Sequence, residues 1–436
     1  MYITPIAPTD IKGSIDKKIL KKAEEALFLS ATLYGSQNQF VINEVKELLR
    51  KVNSYYSNKI EGDGTHIYNI EKAMRNEYSL NTKEKNLQQL SLAHINVQKQ
   101  IELSIESNSS FSPYSKQFIK DIHKRLYTQK GMDKFLNVSK NDTPVFMKPG
   151  EFRKLEVEVG SHNPLGCEKV ESVMDEFEHL YSKSMNTSKI TQYIHALSSH
   201  HRLAWVHPFL DGNGRVSRLA LDAALHSIEI PGYGLWNISR GLAKNSEEYK
   251  KSLSYADMIR QGATDGRGNL SSRGLNHFVD FMLETSIDQI EYMSKYLKMD
   301  ELSQRIEKVV SQSRSGFIEI DPLPKESSKL FNYLLIHGEM PRGKAAEVLG
   351  LKERSARNVI SELVKRDFLI SNTVKSPIRI RFDAVFAKYL FPELVPEVDT
   401  LESIDKIDIE NMSSKEREDL MKKLSESIDK DKLLNS

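Results

Sequence analysis

Residues 207–218 read HPFLDGNGRVSR. An imidazole (His207), a carboxylate (Asp211), a Gly212-Asn213-Gly214 turn and two guanidiniums (Arg215, Arg218) share this one short stretch. Val216, Leu219, Ala220, Ala223 and Ala224 follow at helical spacing, so the glycine turn falls at a helix N-terminus. Free N–H groups, close backbone approach and the positive end of the helix dipole make such a turn an anion site. Arg215 and Arg218 lie three apart on the first turn, so both forks can reach one polyphosphate. Asp211 has the wrong sign for phosphate unless a metal lies between them, and one carboxylate with substrate phosphates is a common way to hold Mg²⁺. A neutral imidazole beside a nucleotide phosphate is suited to taking the proton of an incoming hydroxyl. A phosphate loop of the form GxxxxGK(S/T) is absent, and the turn lacks the third glycine and preceding strand of a dinucleotide fold.

The elements that must position this stretch are mostly helical. Leu20, Ala23, Leu27 and Ala31 repeat at helical spacing, as do Val41, Val45, Leu48, Leu49, Val52 and Tyr56, a run that ends at Gly62. Further stripes run through Leu87 to Val97, Phe118 to Leu126, Val170 to Leu180 and Ile190 to Ala204. Residues 143–160, TPVFMKPGEFRKLEVEVG, break the pattern: Pro149-Gly150 suits the centre of a type II turn, and Leu155, Val157 and Val159 alternate as in a strand, which predicts a hairpin. SQSRSG at 311–316 marks a boundary. Beyond it, three short helices and a strand pair over VKSPIRIRF have the layout of a winged helix-turn-helix, with Arg354, Arg357, Lys365 and Arg366 on the third helix.

At 436 residues, two or three domains are expected. With 39% apolar and 28% charged residues and no long apolar run, a soluble protein without membrane contact is expected. The first residues lack the pattern of a secretory signal, and the single Cys167 rules out an internal disulfide, so a cytoplasmic location is expected. The net charge of +2 conceals a division: residues 322–396 hold 13 Lys and Arg against 8 Asp and Glu, and residues 397–436 hold 7 against 12. A basic module and an acidic tail follow, the tail with a candidate helix from Ser413 to Ile428.

The stretch at 207–218 resembles the Fic family motif HxFx(D/E)GNGRxxR at every defined position. The resemblance implies a helical core with a β-hairpin flap and transfer of AMP from ATP to a Ser, Thr or Tyr hydroxyl of a protein, the chain itself included. It makes His207 the base, Phe209 the buried anchor and Asp211 the Mg²⁺ ligand. Gly212, Asn213 and Gly214 become the anion hole, and Arg215 and Arg218 the phosphate clamps. FMKPGEFRK, residues 146–154, resembles the flap that positions the target, which gives that role to Lys148, Pro149, Gly150, Phe152 and Arg153. Asn245 and Tyr249 fall where the family places adenine-pocket residues. YYSNKIEG fits the inhibitory pattern (S/T)xxxE(G/N) through Ser57, Glu61 and Gly62, one helical turn carrying Ser57 and Glu61.

The expected organisation is therefore mainly α. It comprises an N-terminal helical region (1–110) with an inhibitory helix over about 41–62, a catalytic core (111–290), a linker helix (291–321), a winged-helix module (322–396) and the tail (397–436). Two alternatives remain in the sequence: the same site removing AMP from a modified protein, and a regulator binding DNA, or a protein, through the winged helix. A homodimer is left open.

Overall fold

The computed structural model describes residues 15–108, 111–140, 143–158 and 164–396. The expected tail helix and the expected strand position Val159 lie outside these residues.

The chain opens with α1 (Lys17–Gly35), whose N-cap Asp16 accepts hydrogen bonds from the N–H groups of Lys18 and Ile19. Its buried face runs through Ile19, Ala23, Ala26, Ser30 and Leu33. The stripe predicted through Leu20 and Ala31 is therefore rotated, and Ala31 is exposed. Ser30 turns inward because its hydroxyl donates to the Pro231 carbonyl (2.6 Å) and accepts from the Trp236 indole (2.9 Å), a polar contact that an apolar count does not register.

Helix α2 (Gln39–Ile60) is capped by Asn38 and stops at Gly62, whose φ of +84° suits glycine. Val45, Leu48 and Val52 are buried, and so are Ser54, Ser57 and Asn58 on its last turns. Residues 51–58 of the helix are buried on every side, so this end of it must be enclosed. Around it lie α3 (Ile67–Met74), α4 (Thr82–Ser107) and, further along the chain, α8 (Asn213–Ser227) and α9 (Ile238–Lys244). Between α4 and α8 come α5 (Lys116–Tyr127), the antiparallel pair β1 (Asn137–Lys140) and β2 (Thr143–Phe146), α6 (Val170–Ser182) and α7 (Lys189–Val206). Helices α7 and α8 pack on each other, with α4 and α5 against α8. Then α10 (Ser246–Ala256), α11 (Ser272–Tyr296) and α12 (Met299–Ser315) complete the body. Among the described residues, no helix is long and apolar enough to cross a membrane.

The hairpin differs from its predicted position. Asn137 pairs with Phe146 and Val138 with Val145, and residues 151–158 form no strand. Leu155 is 40% exposed, so the alternation it belongs to faces no core. The backbone there is committed elsewhere: the Arg153 N–H donates to the Pro208 carbonyl at 2.8 Å. The Pro149-Gly150 turn does form, with Gly150 at φ +82° and the Glu151 N–H reaching the Lys148 carbonyl (3.1 Å).

The C-terminal segment comprises α13 (Ser327–His337), β3 (Glu339–Met340), α14 (Ala345–Leu349), α15 (Glu353–Lys365), β4 (Leu369–Ile370), β5 (Ile378–Ile380) and α16 (Ala384–Leu390), its three strands antiparallel in the order β3-β5-β4. Phe386 packs against Phe331 and Phe368, each at 5.2 Å between ring centres. No open linker precedes it: α12 runs unbroken to Ser315, capped by Gly316, and the described chain up to Val395 clusters as one compact unit. The segment packs on α12, α3 and α2. At its junction the buried Lys51 and Glu71 form a salt bridge, and Glu71 also accepts the N–H of Ala384 at 3.0 Å. Asp383, the N-cap of α16, lies beside them, 8% exposed.

Burial, and next the Glu71 carboxylate, push the Asp383 carboxyl up to about 7. The folded value lies above the ordinary 3.8, so the ionised group is tolerated less well in the fold than in the unfolded chain. Its contribution to stability is fully present below 3.8 and is lost as pH rises towards about 7. Asp383→Asn keeps an N-cap and removes the charge. It is expected to flatten that decline, gaining at most about 4 kcal/mol at pH 8 relative to the parent, at 1.4 kcal/mol per unit. Urea unfolding at pH 5 and pH 8 measures it, and equal pH slopes for variant and parent would contradict the assignment.

Candidate active site

Helix α7 ends at His207, which takes a left-handed conformation (φ +50°, ψ +60°) while its N–H still reaches the Leu203 carbonyl (3.2 Å). A side-chain-bearing residue pays roughly 1–2 kcal/mol for this region, so the turn must be held. Asn213 holds it from within: its Oδ1 accepts the Phe209 N–H (2.8 Å) and its Nδ2 donates to the Phe209 carbonyl (2.9 Å). Phe209 is fully buried and stacks on His123 at 4.0 Å between ring centres. Gly212 sits at φ +77° with the Tyr127 hydroxyl where a β-carbon would lie. Helix α8 therefore starts with its N–H groups presented on a rigid, backbone-only surface.

The floor beneath α8 is neutral and fixed. His200 Nδ1 faces the Ser217 carbonyl (3.1 Å) and must carry a proton, so Nε2 accepts the Tyr249 hydroxyl (2.7 Å). Burial pulls His200 down to about 3, which keeps it uncharged in neutral solution.

Both arginines of the first turn are buried and engaged by α2 and the residues just after it. Arg218 donates from Nε to the Ser57 hydroxyl (2.9 Å) and from one terminal nitrogen to the Ser57 carbonyl (2.9 Å) and Glu61 Oε1 (2.6 Å). Arg215 donates to Asn58 Oδ1 (3.0 Å), the Tyr127 hydroxyl (3.3 Å) and the Asp63 carboxylate. The Glu61 carboxylate also lies so close to Gly214 that a methyl group there would collide with it. A carboxylate of this chain thus occupies the anion site at the start of α8. Burial acts to raise the Glu61 carboxyl, but the Arg218 and Arg215 charges outweigh it and hold it below the usual carboxylate range.

A cavity of about 230 Å³ opens beside this contact. Glu61, His207, Asn213, Gly214 and Arg218 line one side, and Ile60, Ala204, Trp205, Tyr249, Lys250, Leu253 and Asp257 the other. Asn245 is not among the lining residues: it is an exposed residue at the junction of α9 and α10. Tyr249 does line the cavity, although its hydroxyl is taken by His200. Asp211 is exposed directly before the Gly212 turn, and among the described residues no salt bridge engages it. An open carboxylate next to an anion site suits Mg²⁺, which takes one or two carboxylates plus phosphate oxygens.

The flap residues divide. Lys148 is exposed and Gly150 forms the turn, its N–H donating to His123 Nδ1 (2.9 Å). Phe152 instead packs on Phe209 at 5.4 Å and Arg153 is 2% exposed, so neither faces outward to meet a target. Sequence reasoning missed Asp63, Asn58, Tyr127 and His123. A carboxylate directly after the Glu61-Gly62 pair was the one available signal for Asp63, while Tyr127 and His123 sit on α5 with no motif to mark them.

Comparison with known proteins follows the same lines. Residues 113–225 match the Fic/DOC family. A protein adenylyltransferase Fic from Drosophila grimshawi is 43% identical over 77 residues, 17% of this chain and 16% of the relative. The protein of the same name from Drosophila virilis is 41% identical over 76 residues, again 17% and 16%. The matched part of the chain thus spans about a sixth of the length of these curated relatives. A Fic-1 fragment from C. elegans aligns with a TM-score of 0.50 at 18% identity, covering 65% of this chain and 73% of that one, which bears on the fold alone. The helices α5 to α8, with the hairpin among them and the stretch from His207 to Arg218 joining α7 to α8, are a Fic domain.

Proposed function

We propose that the protein is a Mg²⁺-dependent protein adenylyltransferase, moving AMP from ATP to a Ser, Thr or Tyr hydroxyl, and that Glu61 holds it inactive. The observation that carries this is the Glu61–Arg218 contact over the first turn of α8, in the same cavity as His207. In the productive state the α8 N–H groups of Gly212, Asn213 and Gly214 cradle phosphate oxygens, and Arg215 and Arg218 neutralise their charge. His207 takes the proton of the attacking hydroxyl. A bond forms between that oxygen and the α-phosphorus, the bond to the β-phosphate oxygen breaks, and pyrophosphate leaves. Asp211 would hold the Mg²⁺, which supplies charge neutralisation for the phosphates when bound. Trp205, Ile60, Ala204 and Leu253 offer the base an apolar wall, and Tyr249 closes the floor.

Intact-mass spectrometry of the Glu61→Gly chain with Mg²⁺ and each nucleoside triphosphate tests the reading. A gain of one AMP supports it, and gain of another nucleotide renames the donor. No transfer to itself or to an added lysate at any nucleotide refutes it.

A second reading concerns the C-terminal segment. Lys352, Arg354 and Arg357 are exposed at the start of α15, and β4 and β5 follow as a small wing, an arrangement that suits the major groove of DNA. Arg366 does not belong to that surface, since it donates to the carbonyls of Asp321 (2.6 Å) and Pro322 (3.1 Å). Binding through phosphates is expected to weaken steeply from low to moderate salt, and a salt-independent mobility shift would remove this reading.

A further inference from the structure

Resting on the proposed transfer reaction, we propose that Arg153 is a positioning residue for His207, acting through the backbone of the base rather than on the target. Its Nε donates to the His207 carbonyl and its own N–H to the Pro208 carbonyl, each at 2.8 Å. One residue therefore satisfies two successive carbonyls at the turn where the base sits. The other guanidinium nitrogens donate to the carbonyls of Leu155 (3.2 Å) and Leu165, and to Glu156 (3.4 Å). The Arg153 side chain has no exposed surface, whereas that of Glu156 is 61% exposed.

A buried guanidinium satisfied mainly by carbonyls costs desolvation that an apolar side chain filling the same space would avoid. The bonds it makes identify what it accomplishes. His207 is the one non-glycine residue of the 207–218 loop with positive φ among the described residues. Sharp reversal at that residue turns the carbonyls of 207 and 208 towards the flap segment, away from α8. Left unpaired in the interior, they would pull the turn towards ordinary backbone geometry. Arg153 caps both and so fixes the direction from which the imidazole enters the cavity. The phosphate side of the site rests on Gly212 and the α8 arginines, none of which Arg153 touches. The flap and the base are thereby tied at one residue, and the nucleotide site is not.

This separation gives the test. With Glu61→Gly as the parent, Arg153→Ala and Arg153→Lys are compared for kcat, for KM of the protein target and for ATP affinity by calorimetry. Release of the His207 carbonyl is expected to lower kcat about 100-fold, the scale of a misplacement near 1 Å. ATP affinity should stay within about twofold. Lysine, with one donor able to reach a carbonyl, should recover part of kcat. An unchanged kcat, or a loss confined to KM of the target, means that Arg153 only staples the flap and overturns the proposal. A parent that transfers no nucleotide refutes the reaction instead. In that case a crystal structure of Arg153→Ala, which removes the donor to the His207 carbonyl, decides: His207 leaving positive φ upholds the role, and His207 keeping it overturns it.

Discussion

Glu61→Gly is expected to raise AMP transfer about ten- to a hundredfold over the parent chain. A hydrogen bond between charged groups contributes roughly 1.5–3 kcal/mol, and each 1.4 kcal/mol is tenfold in rate if all of it opposes the productive pose. The effect has two parts. Arg218 regains a donor for phosphate, and the space against Gly214 is vacated by a carboxylate that repels the same phosphate. ATP affinity should change less than turnover, because the α8 N–H groups are unaltered and the Ser57 hydroxyl and carbonyl continue to hold part of Arg218. Asp63 remains on Arg215, so the release is partial.

The pH dependence has a definite sign. The Glu61 carboxyl is held below its ordinary 4.5, so the contact is fully present above that value and is lost only as pH falls further. Mild acid, between pH 7 and pH 5, should not mimic the mutation. Labelling with radioactive ATP across that range reads both effects. Transfer that is unchanged or lower in Glu61→Gly, with removal of AMP from a modified target also lost, would make Glu61 a catalytic residue of the reverse reaction.

The motif at 207–218 was legible because its chemistry is local. An anion site at a helix start needs its glycines, donors and cations in adjacent turns, and sequence order displays them. The Glu61–Arg218 contact was legible at one remove: the two residues are 157 positions apart, and only a family pattern points to Glu61. Asp63 and Asn58 reach Arg215 over the same kind of distance with no pattern to announce them. The flap was misjudged for a related reason. Alternation at Leu155, Val157 and Val159 is a sound local argument for a strand, but the segment is held by the side chain and backbone of Arg153. The true strands are the four-residue segments NVSK and TPVF, flanking Asn141-Asp142, a pair of turn formers in the sequence. The resemblance gives Arg153 itself a target-positioning role among the flap residues. Burial, which reverses that role, depends on where His207 and Leu165 come to rest.

His207→Ala in the Glu61→Gly background is expected to lower transfer by about 10² to 10⁴-fold, the share of a general base. Three features of the structure make this a clean substitution. The carbonyl that Arg153 grips belongs to the backbone and survives the change. Phe209 and Asn213, not the imidazole, close the loop. Alanine meets the same left-handed turn at a cost of roughly 1–2 kcal/mol, as any residue with a β-carbon does, so stability should fall little relative to histidine. ATP affinity, carried by α8 and its arginines, should remain. Arg218→Ala makes the contrast: it removes a phosphate contact and should weaken ATP binding along with the rate. Release of inhibition cannot supply a missing base, so the double variant should keep this deficit at every nucleotide concentration. If it retains the full rate of the Glu61→Gly parent while binding ATP normally, proton removal is not assisted by His207, and the loop's function is phosphate binding alone.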